Sequence, residues 1–217
     1  MCKIIVNFSK VNIFNTSCMN YPTFTSEEYW SSRYRSNDIP WDAGRVTTPL
    51  KEYIDSLEDP GTRILIPGAG NAWEAEYAFG AGFANVFVLD ISREALNRFS
   101  SRCPGFPRSN LIHENFFEHV SEYDLILEQT FFCALPPELR AAYARKMFNL
   151  LAPGGRLAGV LFDDTLFEDH PPFGGDEQEY RKYFFPLFEE SIFDSCYNSI
   201  PPRKNRELFI ELIRPAD

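Results

Sequence analysis

Apolar residues arrive in short runs broken by glycine and proline, and the spacing of those runs predicts strands alternating with helices. Ile64, Leu65 and Ile66 read as a buried parallel strand that stops at Pro67-Gly68-Ala69-Gly70. Helical spacing from Asn71 to Phe79 and glycines at 80 and 82 lead into a second run, Val86 to Leu89, which ends on Asp90. Ser92 is the expected cap of a helix reaching about Ser101, closed by Pro104-Gly105 and Pro107. Further strands are predicted over 111–113, 123–127 and 156–162. Between the last two, Leu139, Tyr143, Met147, Leu150 and Leu151 fall on one face at helical spacing. That pattern is a core-facing stripe on a helix starting at Pro136-Pro137 and ending at Pro153-Gly154-Gly155.

Upstream, Thr25 with Glu28 three residues on resembles a capping box opening a short helix through Trp30 and Tyr34, which Pro40 ends. Pro49 interrupts the next stretch, and a helix is predicted from about Leu50 to Leu57. Downstream come an irregular stretch with Pro171, Pro172, Gly174 and Gly175, a helix near 177–184, and strand-like runs over 188–196 and 207–213. The whole reads as a doubly wound α/β domain, a mostly parallel seven-stranded sheet with helices on both faces. The last two strands have no helix between them, so they are expected to pair as an antiparallel hairpin at one edge.

The stretch from Arg63 to Asp90 carries candidate chemistry. A strand, a glycine turn, a helix and an acid-tipped strand form half of a nucleotide-type cofactor site, with Asp90 placed to accept both hydroxyls of a ribose. The dinucleotide fingerprint needs a small third residue so that the helix can reach a pyrophosphate, and here that position holds Trp73. S-adenosylmethionine has no pyrophosphate and tolerates the indole. A nicotinamide-dependent reductase is weakened accordingly, and a plain tight turn is the bland alternative.

Composition narrows the partners. The 217 residues suit one domain, taken as 23–217, with 1–22 a poorly specified and disordered extension in which Met19 is an alternative start. A net charge of −10 disfavours binding to nucleic acid. Cys2, Cys18, Cys103, Cys133 and Cys196 are odd in number and scattered, with three histidines, so neither a metal site nor a disulfide framework is expected. No apolar run approaches the ~20 residues that span a bilayer. A reduced, cytoplasmic setting and a monomer are the expectations.

Several motifs recur in one order across most of the chain: Trp30, Tyr34 and Pro40-Trp41-Asp42-Ala43-Gly44-Arg45, then Thr48-Pro49-Leu50; LIPGAG from Leu65; LDIS around Asp90; FFCAL from Phe131; LLAPGG from Leu150; HPPFGG from His170; IPPRKNRE from Ile200. Together, from about Tyr29 to Arg214, they resemble the thiopurine S-methyltransferase family of class I S-adenosylmethionine-dependent methyltransferases, especially its plant thiol and halide branch. The resemblance implies S-adenosylmethionine as methyl donor and S-adenosylhomocysteine as product. It further implies that Trp30, Tyr34 and Trp41 close over the cofactor, with Gly68 and Gly70 beside its methionine part. Asp90 and Ile91 would then hold the ribose side, and Asn115 and Phe116 the adenine edge.

By the rule that ligands bind beyond the carboxyl ends of parallel strands, the segment after the fourth strand should face the transferred methyl. Gln129, Phe131 and Phe132 are the substrate-facing candidates there, Gln129 touching the cofactor as well, and Phe173 is added from the HPPFGG loop. Gln129 departs from the family, whose thiopurine-type members carry arginine at this position and whose thiol and halide members carry an aromatic residue. Tyr34 likewise stands where a tryptophan is common. No catalytic base stands out; Cys133 reads as a small buried residue, Asp163 and Asp164 as a solvated loop, and Arg203 and Lys204 as either an anion lure or a solubilising pair. The expected function is methyl transfer to a small soft nucleophile, a thiol, hydrosulfide, thiocyanate or halide. Methylation of an aromatic thiol, oxygen or amine, and non-catalytic binding of the cofactor, remain open.

Overall fold

The computed structural model describes residues 23–216, apart from the side chains at 23, 190 and 191, so the expected extension over 1–22 lies outside the described residues. Seven strands form one sheet: β1 (Ile64–Pro67), β2 (Val86–Asp90), β3 (Leu111–His113), β4 (Tyr123–Gln129), β5 (Leu151–Phe162), β6 (Glu189–Ser195) and β7 (Glu207–Ile213). Their order across the sheet is β3-β2-β1-β4-β5-β7-β6. β3 to β5 pair in parallel, whereas β7 runs antiparallel to both β5 and β6. The expected terminal hairpin is therefore present, with β7 slotted between β5 and β6 and β6 left at the edge.

Side chains alternate across each strand, so an unbroken apolar run serves two cores. Ile64 and Ile66 pack with Ala75 and Ala78 of α3 (Trp73–Gly80) and with Leu96 and Phe99 of α4 (Arg93–Arg102). On the opposite face, Leu65 and Ile126 join Tyr143, Met147 and Leu150 of α5 (Arg140–Leu150) and Tyr180 and Phe184 of α6 (Glu177–Phe184). Two helices precede the sheet: α1 (Glu27–Arg35), which lies against α4, and α2 (Thr48–Asp55), whose Ile54 enters the first core.

Local expectations shift in physically legible ways. Thr23–Thr25 forms a 3-10 turn, so the cap of α1 moves one residue to Ser26, whose hydroxyl accepts from the Tyr29 N–H at 3.3 Å. Pro49 does not delay α2; it occupies the first turn, where a missing N–H costs nothing. Ser92 caps α4 as expected, accepting from Ala95 N–H at 3.2 Å. Pro137–Leu139 is a 3-10 turn leading into α5 rather than its first residues. The sequence Pro153-Gly154-Gly155 ends no helix. α5 stops at Leu150, and β5 starts at once, with Leu151 beside Tyr123 and Arg156 beside Leu125, so the residues between them bulge out of the pairing. Among the described residues no helix is long and apolar enough to cross a membrane.

Candidate functional site

β1 delivers the chain into a turn in which Gly68 and Gly70 both have φ +56°. Glycine adopts that conformation freely, and here space demands it too. A Cβ on Gly68 would sit 2.2 Å from the Phe131 ring, and one on Gly70 would sit 2.5 Å from the Tyr34 hydroxyl. At the tip of β2, Asp90 is 6% exposed, and its two oxygens accept from Gly70 N–H at 2.8 Å and Ser92 N–H at 2.7 Å. Burial pushes its carboxyl up to about 6, although both amides and His113 pull the other way. Each oxygen retains capacity for a further donor.

Aromatic residues roof this turn. Trp30 and Tyr34 come from α1 and Trp41 from the turn after it. The Trp41 ring meets Trp30 edge-on at 5.5 Å and Tyr34 at 6.0 Å. Ser31 Oγ lies 3.0 Å from Ser92 Oγ, which ties α1 to the cap of α4. The loop is fastened at its next residue: Asp42 accepts from Asn71 Nδ2 at 2.8 Å and from the Trp73 indole N–H at 2.6 Å. Trp73, whose bulk opposes a dinucleotide, thus anchors the roof to the glycine turn, with the Arg102 guanidinium 3.8 Å from its ring centre. Arg203 is neither exposed nor merely solubilising. It is buried, and it donates to the Trp41 carbonyl at 2.7 Å from the far end of the chain.

β4 extends two residues further than the sequence suggested, to Gln129. Its penultimate residue, Glu128, is fully buried and accepts from Phe131 N–H at 2.8 Å, Phe132 N–H at 2.9 Å and the Tyr143 hydroxyl. Burial raises this carboxyl to about 7 against those three hydrogen bonds. The bonds fold the post-β4 chain into a tight turn from which Gln129, Thr130 and Phe131 line a cavity. Thr47 Oγ1 lies 2.5 Å from Gln129 Oε1 and so fixes the amide.

That cavity holds about 770 Å³ and brings together Trp30, Tyr34, Trp41, Gly68, Gly70 and Asp90 with Ile91, Asn115, Phe116, Gln129 and Phe131. Two expected members lie elsewhere. Phe132 is 2% exposed and packs into the core against Tyr143, Tyr180 and Phe184, because the Glu128 turn sends successive side chains to opposite sides. Phe173 is also buried, with its N–H on the Cys133 carbonyl at 2.7 Å and its ring 5.5 Å from Phe24. Apolar wall is supplied instead by Phe24, Leu135, Phe162, Leu166 and Phe167. Cys133 reaches the cavity, but burial pushes its thiol up to about 12, so it is no nucleophile. Asp163 and Asp164 do not line it; Asp164 pairs with Arg206.

Sequence reasoning missed Glu128, the fastening of Asp42 by Trp73, and Arg203, for one reason. Each acts through a partner brought near by the fold. Glu74, a buried carboxylate on the cavity wall, was also missed. Of the two acids in the Trp73–Phe79 stretch, Glu74 and Glu76, nothing in the sequence marks Glu74 as the buried one.

The cavity suits S-adenosylmethionine on this chain's own geometry. Its volume falls within the range of small-molecule sites, which is ~300–1,000 Å³. A buried acid stands at the tip of β2, the backbone is bare at two glycines, and aromatic faces are available to a sulfonium cation.

Comparison with known proteins agrees. A family model described as Thiopurine S-methyltransferase matches residues 25–212. The probable thiol methyltransferase 2 of Arabidopsis thaliana is 32% identical over 185 residues, covering 82% of this chain and 81% of its own. Thiocyanate methyltransferase 1 of the same plant is 29% identical over 184 residues, covering 82% and 81%. The fold is shared with 1,6-didemethyltoxoflavin-N1-methyltransferase of Burkholderia thailandensis, whose structure holds S-adenosylhomocysteine, at a TM-score of 0.71 and 15% identity over 88% of this chain and 87% of that one. Matched across almost all of its described length, this chain belongs to the thiopurine S-methyltransferase family of S-adenosylmethionine-dependent methyltransferases.

Proposed function

We propose that this enzyme methylates a small soft nucleophile, a thiol, hydrosulfide, thiocyanate or halide. The carrying observation is the cavity wall, which Phe131, Leu135 and Phe162 line together with the Gln129 amide and which no histidine among the described residues lines. Such a site has little means of removing a proton. It suits an acceptor that arrives as an anion, or as a thiol whose thiolate is already accessible.

When bound, S-adenosylmethionine supplies a methyl group activated by its positively charged sulfur. Trp30, Tyr34 and Trp41 would cover it, Asp90 would take the ribose hydroxyls, and Asn115 and Phe116 would flank the adenine. The apolar walls would strip water from the acceptor, and Gln129 would hold it in line with the methyl carbon. A neutral amide serves an anionic purine less well than a guanidinium does, so thiopurines are disfavoured. Arg45 lines the cavity, is exposed and makes no ion pair among the described residues. Its positive charge would counter, near the entrance, the repulsion that a net −10 imposes on an anion. The names of the two Arabidopsis relatives favour the same acceptor class.

The enzyme would act in the cytoplasm as a monomer, without a nucleic-acid partner. The test is a panel of thiols, hydrosulfide, thiocyanate and halides incubated with S-adenosylmethionine, with methylated product and S-adenosylhomocysteine both measured. Product from at least one of them is expected. Normal cofactor binding with no product from the whole panel would refute the acceptor class.

A further inference from the structure

Three carboxylates line the cavity: Asp42, Glu74 and Asp90. Two have partners. Asp42 is held by Asn71 and Trp73, and Asp90 by the Gly70 and Ser92 amides. Glu74 differs. It is the second residue of α3, four past Gly70, and only 8% exposed, yet no other described residue hydrogen-bonds to its carboxylate. The one amide reaching it is its own backbone N–H.

The charges around Glu74 do not resolve this. Arg203, arriving before β7, spends its donors on the Trp41 carbonyl and Glu207, and Arg102, at the end of α4, spends its own on Glu76 and the Asn71 carbonyl. Both attract Glu74 from a distance, while Asp42 repels it, and burial dominates, raising its carboxyl to about 7. A buried carboxylate whose one donor is its own N–H is costly unless a cation arrives to meet it.

S-adenosylmethionine carries two cationic centres. The aromatic roof suits the sulfonium, and Asp90 faces a neutral ribose, which leaves the α-ammonium of the methionine part. Ile66 and Pro67, which lead into the glycine turn, offer it no polar side chain. We infer that Glu74 accepts the α-ammonium of S-adenosylmethionine and is a cofactor-binding residue. The assignment rests on the cofactor identified above and gives α3 a charged contact with the methionine end.

Calorimetry with two ligands tests it. S-adenosylhomocysteine carries the amino-acid part; 5′-methylthioadenosine keeps the adenine, ribose and thioether but lacks it. Glu74→Gln should weaken S-adenosylhomocysteine by about tenfold to a hundredfold, as for loss of a charge-assisted bond. The same change should leave 5′-methylthioadenosine within about threefold, which also reports that the variant is folded. Glu74→Asp, keeping the charge on a shorter stem, should recover part of the loss.

A proton readout accompanies this. A carboxyl partly protonated in the free enzyme must ionise to meet an ammonium. At about pH 6.5, S-adenosylhomocysteine binding should therefore release a proton, seen as an enthalpy that varies with buffer. Glu74→Gln should abolish most of that release. 5′-methylthioadenosine reports any share contributed by Asp90. Equal loss for both ligands, or no loss, overturns the role of Glu74. Wild-type protein binding neither ligand would instead overturn the cofactor site itself.

Discussion

The methyl-donor end and the acceptor end of this cavity are built by different means. The donor end is mostly backbone: one continuous stretch, β1 to β2, supplies two left-handed glycines and the acid at Asp90. The acceptor end is mostly side chain, with Gln129 from the end of β4, Phe131 from the turn after it and Phe162 from the end of β5, and with Thr47 at the entry to α2 holding Gln129. A backbone cradle is hard to alter by single substitutions without being lost. A wall assembled from separate loops can change one residue at a time: the Gln129 side chain is held by Thr47, while the turn that follows it rests on Glu128.

Gly68→Ala should give the largest effect. The new methyl meets both an unfavourable φ and the Phe131 ring, so S-adenosylhomocysteine affinity is expected to fall by about a hundredfold or more in calorimetry. An affinity within about threefold of wild type would remove the backbone from its controlling place. Gln129→Ala should act on the other side, raising the acceptor KM by about fivefold to tenfold while cofactor affinity changes little. Equal shifts in both would dissolve the distinction between the two ends.

The smallest effect tests the hinge between them, Glu128, whose hydrogen bonds shape the acceptor turn. Its carboxyl holds a proton to about pH 7 when folded but loses it near the ordinary carboxylate value when unfolded. The native state therefore binds more protons across that window, and stability falls as pH rises through it. Glu128→Gln should flatten the fall in Tm between about pH 5 and pH 7 by a few degrees. An unchanged slope would place that titration on Glu74 or Asp90.

The same contrast explains what the sequence disclosed. The succession of strands, the glycine turn, Asp90 and the terminal hairpin follow from local runs and spacing, because each depends on neighbours in the chain. That Trp30, Tyr34 and Trp41 share the cavity was legible only through resemblance, since nothing local separates a cavity wall from ordinary packing. Phe132 and Phe173 were misplaced because an aromatic residue beside a site points inward or outward according to hydrogen bonds that sequence does not show. The Glu128 bonds decide this for Phe132, and the Cys133 carbonyl holds the backbone of Phe173. The roles of Glu128 and Glu74, and the burial of Arg203, were not legible for a related reason: a charge is read as solvated until the fold buries it.

The position of β7 has a consequence for synthesis. Among the described residues β6 pairs with no strand except β7, and Arg203, which clasps the Trp41 loop, lies just before β7. Until the residues of β7 have been made, β6 has no described partner in the sheet, and until Arg203 has been made the Trp41 loop has no clasp. The donor half-site, whose motif runs from β1 to Asp90, thus waits on a residue more than a hundred positions downstream, and a chain cut before Arg203 would carry the motif without the clasped roof.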